Sequence, residues 1–246
     1  MVRPLLWALL LAAGGAGAAQ VQVAVAANLA APMQKIAAGF ARASGHEAVV
    51  VLGSTGKLHA QIRNGAPFEV LLAADAETPA KLEQEGLAVP GTRFTYAIGR
   101  LVLWSADAAA VDPQGQVLRQ PPRGNLAIAD PRVAPYGAAA METLARLGVL
   151  AAWQAHLVQG ENIAQAYQFV ATGNATLGFV ALAQVMADGA IARGSAWIVP
   201  PQLHAPLKQD VVLLKPGRAN PAAMALIDYL KTDAARTTLR GYGYVF

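Results

Sequence analysis

The chain has 246 residues, of which 55% are hydrophobic and 14% charged, so it can bury a core and is not a disordered chain. Its formal net charge of +4 comes from scattered Lys and Arg residues, without the basic cluster that is typical of nucleic-acid-binding proteins. Because it has no cysteine, disulfides, cysteine metal ligands and a lipid anchor on cysteine are excluded.

The N-terminal segment has the pattern of a secretory signal peptide. Arg3 precedes an apolar run over residues 5–13, and an Ala-x-Ala sequence follows at residues 16–18. This run is too short to span a bilayer. We therefore predict a signal peptide over residues 1–19 and export of the mature protein to the periplasm; the alternative is a buried N-terminal helix.

After this segment, apolar runs of strand length alternate with stretches of helical periodicity. The predicted strands are residues 21–27, 48–52, 68–74, 100–105, 126–129, 177–180, 197–199 and 210–214. The predicted helical segments are residues 29–40, 57–64, 78–85, 137–147, 151–157, 163–172, 184–188 and 221–239. This alternation predicts an α/β protein with mainly parallel sheets.

At four junctions, a strand or loop passes through a small or polar residue directly into a predicted helix. The residues at these junctions are Asn28, Thr55, Tyr136 and Ile163. Helix N-termini present unpaired N–H groups and a partial positive charge, so several of them aimed at one point can bind an oxyanion without Lys or Arg. Each junction alone also fits an ordinary helix cap or a core residue, and spacing does not show that the four converge.

A short motif leaves a catalytic alternative open. Ser54 and Lys57 match the Ser-x-x-Lys pattern of serine acyl enzymes, but the partner motifs of those enzymes are missing. A periplasmic serine hydrolase remains the alternative from another functional class, and it predicts covalent labelling of Ser54. We predict no catalytic residue and no resident cofactor.

Several segments, taken in order, resemble periplasmic molybdate-binding proteins of ABC importers. The matching segments are residues 26–29, 53–58, 65–75, 130–137, 178–181, 229–230 and 241–243. The resemblance implies a two-lobed, type II periplasmic-binding-protein fold. Each lobe would be a mixed, mainly parallel sheet flanked by helices, with the ligand in the cleft between the lobes.

The resemblance also implies the lobe boundaries and a hinge. Lobe one would hold residues 20–98 and 208–246, and lobe two residues 99–207. Two strands that cross between the lobes, near residues 98–100 and 206–210, would form the hinge. Such lobes close on a small solute.

The same resemblance implies a set of ligand contacts. Asn28 would occupy the first-loop ligand position with a side-chain donor, and Thr55 would donate from its hydroxyl and its N–H. Tyr136 and Ile163 would donate from backbone N–H groups. Some members have a tyrosine donor where this chain has Ala181. We hypothesise that the Tyr136 hydroxyl replaces that donor. Asp75 also matches the family, and we interpret it as structural because a carboxylate would repel an anion.

The expected ligand is molybdate or tungstate, which sequence does not distinguish, and the expected partner is the membrane permease of an ABC transporter. We predict a monomer that does not bind nucleic acid. A sulfate- or phosphate-binding protein is the alternative within the same class. A sensor that binds the oxyanion without transporting it is also open.

Overall fold

The computed structural model describes residues 18–187 and 189–246. Most of the predicted signal peptide, residues 1–17, therefore lies outside the described residues. Within the described part of the chain, none of the helices has both the length and the apolar character needed to cross a membrane.

Strands and helices alternate along the chain, as the hydrophobic pattern predicts. The strands are β1 (Gln20–Ala26), β2 (Glu47–Gly53), β3 (Val70–Leu72), β4 (Phe94–Gly99), β5 (Leu101–Ser105), β6 (Leu126–Ala129), β7 (Leu157–Gly160), β8 (Leu177–Ala181), β9 (Met186–Ala187), β10 (Ala190–Ile191), β11 (Ser195–Ile198) and β12 (Leu207–Leu213). The helices are α1 (Ala30–Ser44), α2 (Thr55–Arg63), α3 (Glu77–Gln84), α4 (Pro135–Arg146), α5 (Leu150–Trp153), α6 (Ile163–Ala171), α7 (Leu182–Val185), α8 (Pro221–Leu230) and α9 (Asp233–Gly241).

Two five-stranded sheets with the same topology form the two lobes. Their strand orders are β2-β1-β3-β12-β4 and β11-β5-β8-β6-β7. The pairing directions leave one strand in each sheet, β12 in the first and β5 in the second, running against the other four. The prediction of a two-lobed α/β fold with mixed, mainly parallel sheets is confirmed.

The chain crosses between the lobes beside two paired strands. It leaves the first sheet at the end of β4 and, with only Arg100 between, enters the second sheet at the start of β5. It returns to the first sheet in β12. Because β12 pairs with β4 in antiparallel register, the outgoing and returning segments lie side by side. The predicted lobe boundaries lie beside these crossings and remain predictions.

Each lobe has its own apolar core. In the first lobe, α1 buries Met33, Ile36 and Phe40, which recur on one face of the helix. In the second lobe, Trp104 on β5 and Phe179 on β8 are fully buried.

Some predictions of secondary structure were wrong in their bounds or in the type of element. The single helix predicted over residues 221–239 is two helices, α8 and α9, because the Thr232 side chain accepts a hydrogen bond from Ala235 N and starts a new helix. Strands β4 and β7 were not predicted, and Leu157 begins β7 instead of ending a helix. Residues 186–187 form strand β9 where a helical turn was predicted.

Candidate functional site

The four junction residues line one cavity between the lobes. Asn28 and Thr55 follow strands of the first sheet, and Tyr136 and Ile163 lie at the starts of α4 and α6 in the second lobe. The space open to the centre of a water molecule is only about 10 Å³, so a solute can enter only if the lobes separate. The lining residues are Ala26, Ala27, Asn28, Gly53, Ser54, Thr55, Ala74, Ala134, Pro135, Tyr136, Asn162 and Ile163.

Both lobes contribute backbone N–H groups to the cavity as candidate hydrogen-bond donors. Thr55 is the first residue of α2, Tyr136 the second of α4 and Ile163 the first of α6, while Asn28 lies in the 3-10 turn before α1. Within residues 18–187 and 189–246, the N–H groups of these four residues make no hydrogen bond to the protein. The helix dipoles add partial positive charge at the same points.

The cap of α6 shows how one of these donors is left available. The Asn162 side-chain oxygen accepts hydrogen bonds from Ala164 N at 2.9 Å and Gln165 N at 3.1 Å. It therefore satisfies the second and third N–H groups of the helix and leaves that of Ile163 unpaired. An acceptor in the cavity would complete this helix start.

Glycine beside a donor lets helix α4 begin close to the end of strand β6. A Cβ on Gly137 would collide with the carbonyl oxygen of Ala129, so a side chain at this position would push the helix start away from the sheet. Glycine at this position therefore has a direct steric basis.

The Thr55 side chain is buried at the cavity. Its oxygen accepts a hydrogen bond from Ala74 N at 3.0 Å, and the side chain is only 1% exposed. The hydroxyl proton is not used by that contact and is free for an acceptor in the cavity. Thr55 does not cap its own helix, so the alternative of an ordinary cap does not apply to its side chain.

Ser54 is a candidate contact that the sequence analysis missed. Its hydroxyl is buried, lines the same cavity, and is the one buried side-chain polar atom without a hydrogen-bond partner among the described residues. An unpaired buried hydroxyl is costly, so an acceptor in the cavity would stabilise it. The available signal was its place at the start of α2, although the Ser-x-x-Lys pattern by itself indicates only a nucleophile.

Asn28 differs from the expectation for its side chain. Its amide nitrogen donates to Gln209 Oε1 at 3.0 Å and to the Tyr244 hydroxyl at 2.9 Å. Both amide hydrogens are therefore used within the protein, and the side chain is not available as a ligand donor. Only the backbone N–H of Asn28 remains for the cavity.

The Tyr136 hydroxyl belongs to the same buried network. It accepts a hydrogen bond from Gln209 Nε2 at 3.0 Å. Burial raises the pKa of Tyr136 well above its usual value, with the nearby Tyr244 and Tyr96 hydroxyls adding to the effect, so the group stays neutral. Whether this hydroxyl also replaces the donor absent at Ala181 remains a prediction.

A wider, open groove of about 500 Å³ adjoins the cavity and shares Ala74, Ala134 and Pro135 with it. Asp75 lies in this groove and accepts hydrogen bonds from Thr78 N at 2.8 Å and Thr78 Oγ1 at 3.2 Å. Burial raises the pKa of Asp75, although the Thr78 hydrogen bonds oppose this. The contacts stabilise the start of α3, which is consistent with a structural role.

Two contacts hold the lobes together beside the cavity. Gly56 N donates to Val133 O at 2.9 Å, and Lys57 Nζ pairs with Glu161 across the cleft at 2.7 Å. In the described residues, Lys57 makes no hydrogen bond with the Ser54 hydroxyl, which has no partner at all. The Ser-x-x-Lys motif is therefore not arranged as a nucleophile with its base.

Comparison with known proteins places the chain among binding proteins. The family described as bacterial extracellular solute-binding protein matches residues 21–245. A molybdate-binding protein of Azotobacter vinelandii is 56% identical over 95% of this chain and 93% of its own, and one of Rhodobacter capsulatus is 51% identical over 94% and 90%. The solved structure of an Azotobacter vinelandii periplasmic molybdate-binding protein superposes with a TM-score of 0.88 and 40% identity, covering 92% of this chain and 99% of that one.

Proposed function

Because the chain belongs to the family of bacterial extracellular solute-binding proteins, we propose that it captures molybdate or tungstate in the periplasm and delivers it to the permease of an ABC importer. Two relatives more than half identical to it are molybdate-binding proteins. Both align over at least nine-tenths of either chain, so the resemblance extends to both lobes and the cleft.

The observation that carries this proposal is the convergence of N–H groups from both lobes on one buried cavity. Its lining is made of small, apolar and neutral polar residues. Backbone N–H groups at helix starts bind a fully ionised oxyanion without a counter-charge. A carboxylate, which could accept the proton of a phosphate, is not part of the lining, and this favours an anion that carries no proton.

The proposed contacts combine backbone and hydroxyl donors. Thr55, Tyr136, Ile163 and Asn28 would each donate a backbone N–H, and the Thr55 hydroxyl would donate its proton. The unpaired Ser54 hydroxyl is a further donor. Binding would draw the lobes together and release would need them to part. We propose that this cycle involves no catalytic step and no resident cofactor. We propose that the protein works as a monomer.

Isothermal titration calorimetry of the chain from Gln20 onward tests this proposal. Molybdate, tungstate, sulfate and phosphate would be titrated at the same pH and ionic strength. We expect one-to-one binding of molybdate and tungstate, with sulfate and phosphate far weaker. Binding of sulfate or phosphate alone would contradict the proposed ligand but support the proposed anion site. No heat from any of the four oxyanions would contradict the proposed site as well.

A further inference from the structure

Gln209 lies where the two lobes meet, and it is fully buried in β12. Its side-chain oxygen accepts hydrogen bonds from Asn28 Nδ2 and from the Tyr96 hydroxyl, each at 3.0 Å. Its side-chain nitrogen donates to the Tyr136 hydroxyl at 3.0 Å. One amide therefore holds a cavity residue of lobe one and a cavity residue of lobe two at the same time.

The backbone around this amide is shaped to accommodate it. The pairing of β12 with β4 shifts register between Gln209 and Asp210, so two consecutive polar side chains are both buried. Such irregularities re-aim side chains next to functional sites. On the outgoing strand, a Cβ at Gly99 would collide with the Tyr136 hydroxyl and the Gln209 amide nitrogen. The absence of a side chain at Gly99 therefore provides the space for the hydrogen bond between Gln209 and Tyr136.

We propose that Gln209 is a positioning residue that sets the separation between the donors of the two lobes, and thereby the size of oxyanion that the closed cleft accepts. The inference rests on the function proposed above. An amide is suited to this task because it accepts from lobe one and donates to lobe two. A cleft held at a set separation cannot contract onto a smaller tetrahedral anion, so sulfate would bind fewer donors than molybdate.

Two substitutions separate this role from a general loss of packing. Gln209→Met keeps the length of the side chain but removes all three hydrogen bonds. We expect it to lower the ratio of molybdate to sulfate affinity about tenfold, the effect of about one lost hydrogen bond. In Gln209→Glu, the neutral carboxyl can still accept from lobe one and donate to Tyr136, whereas the carboxylate has no proton and loses its donation to lobe two. The ratio should therefore recover at low pH and fall as pH rises.

The control is Thr143→Val in α4, which removes another buried hydrogen bond, to Ala139 O at 2.7 Å; Thr143 itself lines neither the cavity nor the adjoining groove. It should lower the unfolding temperature and leave the affinity ratio unchanged. Calorimetry with sodium molybdate and sodium sulfate measures the ratio, and thermal melts measure folding.

The outcomes keep the two proposals apart. No binding of either salt by the wild type would overturn the proposed function itself. Wild-type selectivity in folded Gln209→Met would overturn the role of Gln209 alone. If Gln209→Met does not fold, Gln209→Glu decides: a molybdate-to-sulfate affinity ratio that changes with pH supports the role, and a ratio independent of pH overturns it.

Discussion

At the scale of single residues, the Thr55 hydroxyl can accept one hydrogen bond through its oxygen and donate another through its proton. The oxygen accepts from Ala74 N, and the proton is available to the oxyanion. Thr55→Val should weaken molybdate binding about tenfold and lower the free energy of unfolding by about 1–3 kcal/mol, because the Ala74 N–H loses its acceptor. Calorimetry and chemical denaturation measure the two effects. Thr55→Ser keeps the hydroxyl, and an equal loss in that control would contradict the donor role.

Tyr136 allows a second test at this scale. Tyr136→Phe leaves the Gln209 side-chain nitrogen buried without its acceptor, so the free energy of unfolding should fall by about 1–3 kcal/mol. If the hydroxyl also donates to the oxyanion, binding should weaken by about 1–2 kcal/mol. Unchanged molybdate affinity in a folded variant would show that the Tyr136 hydroxyl serves only as the acceptor for Gln209.

The pKa of Asp75 gives a prediction with a definite sign. Burial raises this pKa in the folded protein above its ordinary value of 3.8, so protonation favours folding and the ionised form costs stability. This group therefore lowers the free energy of unfolding as pH rises from the ordinary value through the raised one. Asp75→Asn retains an acceptor for Thr78 N and should remove that part of the pH dependence. Denaturation of both proteins across acidic pH measures it; identical pH profiles would contradict the prediction.

At the scale of secondary structure, the position of the α4 start decides whether its N–H groups reach the cavity. Gly137→Ala should displace that start, because the new Cβ would collide with Ala129 O, and molybdate binding should weaken by about tenfold or more. Gly241→Ala in α9 is the matched control, since its Cβ would meet open space. It should bind normally and be slightly more stable. Calorimetry of the pair tests this, and equal affinities would contradict it.

At the scale of the whole molecule, closure of the lobes includes an ion pair that solvent reaches. The Lys57–Glu161 pair spans the cleft with both side chains about half exposed, so it should contribute about 0.2–1 kcal/mol. Glu161→Gln should speed molybdate release at low salt, and the difference from wild type should vanish at high salt. Stopped-flow dissociation kinetics measure this.

The matched control for that experiment is Asp228→Asn, which removes an exposed ion pair with Lys231 inside one lobe. It should leave release rates unchanged at every salt concentration. A release rate in Glu161→Gln equal to that of wild type at low salt would show that the ion pair plays no part in closure.

Local patterns were enough to predict much of the fold. Strand β6 has the predicted bounds, Leu126–Ala129, and α6 begins at the predicted Ile163. Buried strands and amphipathic helices have short periods that a single segment displays completely. The missed break at Thr232 was also local: a cap residue followed by Asp233 signals a new helix start.

The chemistry of the site depends on both the sequence and the tertiary structure. By itself, the sequence determined which residues start helices, and thus which N–H groups are unpaired, because helix initiation is decided by neighbours in the chain. Only the tertiary structure decided where the side chains of these residues point. Asn28 meets its partners Gln209 and Tyr244 across 181 and 216 residues. A hydrogen bond between residues so far apart leaves no periodic trace in the sequence, since it exists only once the C-terminal part of the chain has folded back onto the first lobe.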